Sequence, residues 1–267
     1  MEKLHHPLWI VQWVNALAGP LVAAALRPLG ISFEAGTDVI PDFVVMALLI
    51  LVAMAALCLA IRSRLSVENP GKVQILLETL ISGLNGMLDE NIGPKGRRYL
   101  PLVGTVGTFI LVGNLMGLIP GLMAPTSNIN VTLGCAVTVW VYYQFQGFKE
   151  QGVVGYVKHF LAPAGAPIWI APIYFPIEII SHVSRVLSLS VRLFGNIFGE
   201  ELVILILFSI VPFVVPLPMM FLGIVTSVLQ AFIFVMLTVI YLAGAVAVEH
   251  DEGGHGAEHA VHEPAAA

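Results

Sequence analysis

Apolar residues fill five long runs of this chain, and polar segments separate the runs. Each run approaches or exceeds the roughly 20 residues that an α-helix needs to cross a bilayer. The runs extend over Phe43 to Ile61, Leu100 to Leu122, Val131 to Phe145, Ile168 to Val211 and Met219 to Val248. This pattern predicts an all-α, multi-pass membrane protein with about five transmembrane helices.

The last two runs are longer than a membrane span requires. A helix from Ile173 to Val211 would measure about 58 Å, nearly twice a hydrocarbon core of about 30 Å. It must therefore tilt steeply or break. Pro212, Pro216 and Pro218 separate the two runs and indicate a turn. We expect a long, tilted, antiparallel helix pair at the C-terminal end.

Basic residues in the loops predict the orientation in the membrane, because Lys and Arg are concentrated on the cytoplasmic side. They cluster after the first and third runs, and the loops after the second and fourth runs contain none. The cations are Arg62, Arg64, Lys72, Lys95, Arg97, Arg98, Lys149 and Lys158. The C-terminus is therefore expected in the cytoplasm.

Two segments outside these runs are amphipathic. Apolar residues recur at helical spacing between Pro70 and Asn91, so we expect one interfacial helix on the membrane surface there. The stretch Leu8 to Leu29 is apolar but contains polar residues and Pro20. We interpret it as interfacial on the outer side, and a cleaved signal and a sixth span are the alternatives.

The predicted organisation has three parts. Residues 1–40 form the N-terminal interfacial segment, residues 41–249 the membrane domain, and residues 250–267 an acidic tail with four His. The Gly, Ala and Glu content of the tail is typical of a disordered, solvated segment, and a metal site is the alternative.

Composition narrows the function classes. Hydrophobic residues make up 58% of the 267 residues and charged residues 11%, with a mean hydropathy of +0.91. The sequence contains no basic patch that would indicate nucleic-acid binding. Cys58 and Cys135 suggest neither a disulfide framework nor a metal site, and we expect both to be small buried residues. No metal or cofactor is expected.

Arg192 is the residue most indicative of function, because it lies inside an apolar run. Burying a charge near the middle of a membrane costs about 3 to more than about 10 kcal/mol by different estimates, and arginine keeps its proton. No acidic residue lies three or four positions away to neutralise it. Its partner must therefore come from elsewhere.

Many of the polar residues of this run share one face with Arg192. At 100° per residue, five of them fall within about 40° of its direction. They are Glu178, Ser181, Arg185, Ser188 and Asn196. Structural roles are the alternatives: Arg185 can extend to the interface with Glu178 as its partner, and the serines can bond backbone carbonyls.

Carboxylates lie on both sides of Arg192 along the helix axis. Glu200 and Glu201 are about 12–13 Å towards the outer side, at about 80° and 180° around the helix, and Glu178 is about 21 Å the other way. Each carboxylate can attract water into a cavity that extends from one membrane surface only part of the way across the bilayer. The arginine between the carboxylates would keep the two cavities from joining.

Three segments carry a specific motif. They are Arg192-Leu-Phe-Gly-Asn196 with Glu201 nine residues after the arginine, Leu229 to Phe234 with Gln230 second, and Gly113 to Pro120 with Asn114 second. Together they resemble the a subunit of the F-type ATP synthase membrane sector, over roughly Pro41 to Glu249.

The resemblance implies an ion-translocating stator subunit that makes no ATP itself and lies in a bacterial plasma membrane. The implied partners are a rotating c-ring of proteolipid subunits, b-type peripheral stalk subunits, membrane lipid and a translocated proton or Na⁺. Arg192 would attract each passing ring carboxylate. Gln230 would lie opposite Arg192 and could hydrogen-bond it, with a role as interhelical glue as the alternative.

The resemblance also implies two half-channels. Glu201, Asn196 and Asn114 would line the outer one, and Glu178 with Ser188 the inner one. For Asn114, simple helix packing is the alternative.

This chain departs from some members of that family. Gly223 stands where they carry His, and Glu200 where they carry Gly, so the ionisable group is expected to have moved from one helix to the other at the same depth. Gly117 and Gly121 replace acidic residues that some members carry.

Two other classes of multi-pass membrane protein would need features that this sequence lacks. A haem-bearing membrane oxidoreductase would need paired intramembrane His, and only His182 lies in a span, where we interpret it as an interfacial residue. A secondary transporter or stand-alone channel would need its own permeation path. Arg192 lacks a carboxylate partner nearby in its own chain, which favours a subunit of a complex.

Overall fold

The computed structural model describes residues 9–26, 39–63, 65–66, 70–119, 122–161, 171–210 and 216–246. Within these ranges every regular element is helical, so the all-α prediction is confirmed. The seven α-helices of the described ranges, α1 to α7, are Trp9–Leu26, Asp42–Arg62, Lys72–Ile92, Leu100–Gly117, Ile129–Leu161, Ala171–Ile210 and Pro216–Val246. The tail 250–267 lies outside the described residues.

Four segments of the described ranges are long and apolar enough to cross a membrane. They are Asp42–Arg62, Pro94–Gly117, Pro172–Ile210 and Pro216–Val246. The third apolar run lies in α5, a 33-residue helix that is kinked at Gly152. It is not among the four, because polar residues such as Gln144 lower its mean hydropathy. A fifth crossing through α5 therefore stays a prediction.

α7 includes two of the three prolines that were expected in the turn before it. α7 begins at Pro216, so Pro216 and Pro218 belong to its first turn, where the missing N–H of proline would have no intrahelical partner in any case. Pro212 lies outside the described residues. α6 continues without a break over 40 residues, or about 60 Å, with Pro176 in its second turn. A helix of that length must tilt to remain within a bilayer.

α6 and α7 pack against each other in antiparallel directions. Asn196 contacts Gln230 and Glu200 contacts Thr226, so four residues forward on α6 correspond to four residues backward on α7. The long antiparallel pair predicted for the C-terminal end is therefore present.

The core lies between α4, α5, α6 and α7. Leu189, Leu193 and Ile197 recur at helical spacing on one face of α6 and are buried there, together with Phe234 and Val239 of α7. Burying this face leaves the remaining faces of the two long helices open at the surface.

The two amphipathic segments are helical. α3 buries Leu88 but leaves Leu76 and Leu80 61% and 52% exposed, which is compatible with the predicted contact to lipid. In α1, the Asn15 amide donates to the carbonyl of Ile40 at 3.0 Å and accepts from its N–H at 2.9 Å. These bonds attach α1 to the residues before α2. An interfacial position of either helix stays a prediction.

The two cysteines are less buried than expected. Cys58 is exposed on α2, and Cys135 is half-buried on α5. The prediction was wrong for Cys58 because α2 packs against the rest of the chain with one face only, which holds Val45, Met46 and Ile50.

An ion pair joins the segment before α4 to the far part of α5. Arg98 Nη2 lies 2.8 Å from Glu150 Oε1. The Arg98 guanidinium holds the pKa of this carboxyl below its ordinary value. This contact lies at the end of the bundle that is expected to face the cytoplasm.

Candidate functional site

Arg192 lies on the open flank of α6. Its side chain is exposed, and within the described ranges it forms no hydrogen bond or ion pair. Leu189 and Leu193 on the neighbouring face are 3% and 0% exposed and fix the orientation of the helix. Val191, next to the arginine, is exposed and apolar. The guanidinium therefore faces outward from the bundle in apolar surroundings.

Gln230 is held by Asn196. The Asn196 side-chain amide donates to Gln230 Oε1 at 2.8 Å, and Gln230 is only 3% exposed. This differs from the expected Arg192 to Gln230 pairing. The packing register sets Gln230 opposite Asn196, one helical turn beyond Arg192, because helix positions four apart differ by about 6 Å in depth.

Glu200 contacts α7 at Gly223, as the equal depths of the two residues predicted. The Thr226 hydroxyl donates to Glu200 Oε2 at 2.8 Å. A Cβ atom built on Gly223 would overlap Glu200 Oε1. Thr226 was missed by the sequence interpretation, although it lies four residues before Gln230 and hence on the same face of α7.

Glu201 points away from Glu200, towards the residues after α4. The backbone N–H of Ala124 donates to Glu201 Oε1 at 3.0 Å. A Cβ atom built on Gly117 would lie 3.1 Å from the same oxygen. Consecutive helix residues differ by about 100° in direction, so the two carboxylates contact different neighbours at nearly one depth.

Asn114 is buried on α4, about one helical turn before Gly117. It is 2% exposed, and its Oδ1 accepts a hydrogen bond of 2.7 Å from the Thr126 hydroxyl. Its Nδ2 has no partner within the described ranges. The amide is thus one of few polar groups among apolar helices. Thr126 belongs to a short 3₁₀ helix, Pro125–Ser127. No pattern in the sequence predicted this helix or its contact with Asn114.

Glu178 lies at the opposite end of the polar face. Its Oε1 is 3.3 Å from His182 Nε2, and His182 Nδ1 is 2.9 Å from the Tyr143 hydroxyl of α5. His182 is 7% exposed and packs between α5 and α6. Its interpretation as an interfacial residue stays a prediction, because burial against a neighbouring helix is possible at any depth in the membrane. Ser188 is exposed between Glu178 and Arg192. The structure brings Glu178 to His182, and Ser188 to none of the other expected residues.

No metal-binding set is apparent in the described parts of the chain, where no three His, Cys, Asp or Glu side chains come close enough to hold an ion. The polar groups instead form one cluster with Glu200, Glu201 and Asn114, at the end of α6 that is predicted to lie on the outer side, and a second cluster with Glu178 and His182, at the end that is predicted to lie on the inner side. Arg192 lies between the two clusters along α6.

The amino-acid sequence matches a known family over most of its length. The model of the family described as "ATP synthase A chain" matches residues 43–243. The chain is 46% identical over 246 residues to ATP synthase subunit a of Geotalea daltonii, which covers 92% of this chain and 99% of the relative. It is 47% identical over 225 residues to the same subunit of Geobacter sp. (strain M21), covering 84% and 94%. Identity to that of Geobacter sulfurreducens is 42% over 92% of this chain and 99% of the relative.

Proposed function

Because the chain belongs to the ATP synthase A chain family, we propose that it couples ion flow to rotation through Arg192 and two offset half-channels. Membership makes it a non-catalytic, proton-channel subunit of the membrane sector of an ATP synthase, and the resemblance seen in its motifs is confirmed. The role of each residue is the proposal.

The exposed, unpaired Arg192 carries the proposal. Its charge is unfavourable in an apolar environment unless an anion approaches it. Within the described ranges its own chain supplies none. A carboxylate of a rotating c-ring would meet this requirement for one subunit after another, and arginine would remain charged in each encounter.

The outer half-channel would contain the cluster around the two consecutive carboxylates. Glu200 and Glu201 each accept a hydrogen bond from a different neighbour, so they would offer two exchange positions at nearly one depth. Asn114 would add a polar group, with its Nδ2 available for water. Asn196 would connect this cluster to the vicinity of Arg192, which lies one turn away on its own helix.

The inner half-channel would contain Glu178 and Ser188. Both lie on the side of Arg192 opposite to the outer cluster, and Ser188 is exposed on the same flank of α6. The positive charge of Arg192 would repel a proton or Na⁺ passing directly between the half-channels. An ion would therefore have to travel on the ring, and its movement would turn the ring.

The partners follow from this mechanism and from family membership, which implies assembly with other ATP synthase subunits. We propose that the Arg192 flank faces the c-ring and that b-type stalk subunits hold the chain in place. The long apolar helices and the family fit a bacterial inner membrane. The C-terminus would lie in the cytoplasm.

Cysteine crosslinking tests the proposed ring contact. Cys58 and Cys135 are first replaced, and a cysteine is placed at Ser188 and, as the matched control, at the adjacent Leu189. Ser188 is exposed and Leu189 is 3% exposed. A second cysteine is introduced into the co-purified proteolipid, next to its ring carboxylate. The cysteine at position 188 should form a crosslink with it, and the cysteine at position 189 should not. Equal crosslinking, or no co-purifying proteolipid, would contradict the proposal.

A further inference from the structure

His182 joins α5 to the inner carboxylate through both of its ring nitrogens. Nδ1 lies 2.9 Å from the Tyr143 hydroxyl, and Nε2 lies 3.3 Å from Glu178 Oε1. The His182 and Tyr143 rings are nearly parallel, with centroids 6.0 Å apart. Both side chains are buried, at 7% and 2% exposure. The imidazole is thereby held in one orientation.

The hydrogen bonds permit two protonation states. In the neutral imidazole, Nδ1 accepts from the Tyr143 hydroxyl while Nε2–H donates to the Glu178 carboxylate. In the imidazolium, both nitrogens donate, and Tyr143 becomes the acceptor. The same contacts therefore serve both states, but the second adds a positive charge next to Glu178.

The charged and titratable groups around the Tyr143, His182 and Glu178 contacts come from three helices. Tyr143 and Tyr156 belong to α5, Glu178 and Arg185 to α6, and Tyr241 to α7. The Arg185 guanidinium lies 5.3 Å from the centroid of the Tyr241 ring. Tyr174, also on α6, lies next to Glu178. Only His182 among these groups ordinarily changes charge near neutral pH.

We propose that His182 is a positioning residue for Glu178. Tyr143 orients the imidazole, and the imidazole in turn holds the Glu178 carboxylate in place. When the imidazole is charged, it keeps this carboxylate from exchanging protons. The proposal rests on the proposed role of Glu178 in the inner half-channel. Imidazolium and carboxylate form an ion pair in a site of low dielectric, which binds the carboxylate more tightly than the neutral ring does. Proton exchange at the inner end thus becomes slower as the pH on that side falls.

The test uses ATP-driven acidification of inverted membrane vesicles that contain the whole complex, since their outer medium faces the cytoplasmic side. The His182→Gln variant keeps a donor towards Glu178 but cannot titrate. Its pumping rate, divided by that of the unmodified complex, should rise about twofold or more as the medium goes from about pH 8 to about pH 6. A ratio that does not change with pH would overturn the proposal.

Further variants separate positioning from general structure. Tyr143→Phe removes one hydroxyl, and its pumping rate relative to the unmodified complex should also depend on pH. In the double variant with His182→Gln, the ratio should depend on pH no more than it does for His182→Gln alone. Tyr241→Phe is the matched control, because it removes a hydroxyl from the same aromatic cluster, and its ratio should be flat. If His182→Gln does not assemble, a flat ratio for Tyr143→Phe overturns the proposal.

Glu178→Gln distinguishes this inference from the proposed function. Loss of pumping in Glu178→Gln together with flat ratios for the His182 and Tyr143 variants would reject the positioning role alone. Normal pumping in Glu178→Gln would reject the inner half-channel role of Glu178 and, with it, this inference.

Discussion

Glu200 and Gly223 lie against each other across the contact of α6 and α7, and a methyl group on Gly223 would overlap a carboxylate oxygen of Glu200. The glycine thus leaves the space that the carboxylate occupies. The resemblance to the family implies that some members carry Gly at the position of Glu200 and His at the position of Gly223, which reverses the arrangement of large and small residues. The contact is what the proposed move of an ionisable group from one helix to the other at unchanged depth requires.

A double-mutant cycle tests this exchange. Glu200→Gly should impair ATP-driven pumping, and Gly223→His alone should impair it as well because the imidazole would collide with Glu200. The double variant should recover part of the activity, so that the two effects are not additive. Glu200→Gly combined with Gly223→Ala is the control, since it fills space without an ionisable group, and it should not recover. Additive losses would show that the positions do not share a function.

Arg192→Ala should abolish coupled pumping while the complex still assembles, because the ring carboxylate loses its counter-charge. Passive proton leak should appear in the same vesicles, as no fixed charge then separates the half-channels. Arg192→Lys should retain little pumping, because an ammonium lacks the planar fork of the guanidinium and can lose its proton in an apolar site. Vesicles with Arg192→Ala that pump normally would rule out the proposed mechanism.

The Asn196 to Gln230 bond predicts coupling between these two side chains. Gln230→Leu should slow transport, and Gln230→Glu should be worse because a fixed anion one turn away would compete for Arg192 at low dielectric. Alanine at 196 and at 230 should show a coupling of about 1 kcal/mol in transport rate or stability. A harmless Gln230→Glu would contradict this.

Crosslinking distinguishes the observed register from the one expected from sequence. In a cysteine-free chain, cysteines at 196 and 230 should form a disulfide more readily than cysteines at 192 and 230. The hydrogen bond of 2.8 Å brings the first pair together, whereas Arg192 is one turn away. Preferential crosslinking of positions 192 and 230 would support the pairing expected from the sequence and would contradict the proposed course of the outer half-channel.

Gly117 should tolerate no side chain. A Cβ atom there would lie 2.7 Å from Ala124 Cβ and 3.1 Å from Glu201 Oε1. Gly117→Ala should therefore destabilise the fold by about 1–3 kcal/mol and reduce assembled complex in membranes. Gly134→Ala on α5, where nothing lies within 4 Å, is the control and should leave assembly unchanged or slightly raise stability. Equal levels of the two variants would argue against a packed contact at Gly117.

Local properties of the sequence determined much of this protein. The apolar runs located α2, α4, α6 and α7, because a segment that must satisfy its own backbone hydrogen bonds in lipid becomes helical. The rise and rotation per residue then related Glu200, Glu201 and Glu178 to Arg192 in depth and direction. The motifs around Arg192, Gln230 and Asn114 indicated the family.

Only the tertiary structure decided which side chains meet. A shift of one helical turn changes every partner across a helix pair while leaving each helix pattern the same, and so Gln230 contacts Asn196 rather than Arg192. The hydrogen bond between Tyr143 and His182 joins α5 to α6, and the two residues are 39 positions apart in the sequence. No local sequence pattern specifies such a contact. Packing of α6 by its buried leucines also decided that Arg192 would be exposed, because the most favourable burial of one face fixes where the others point.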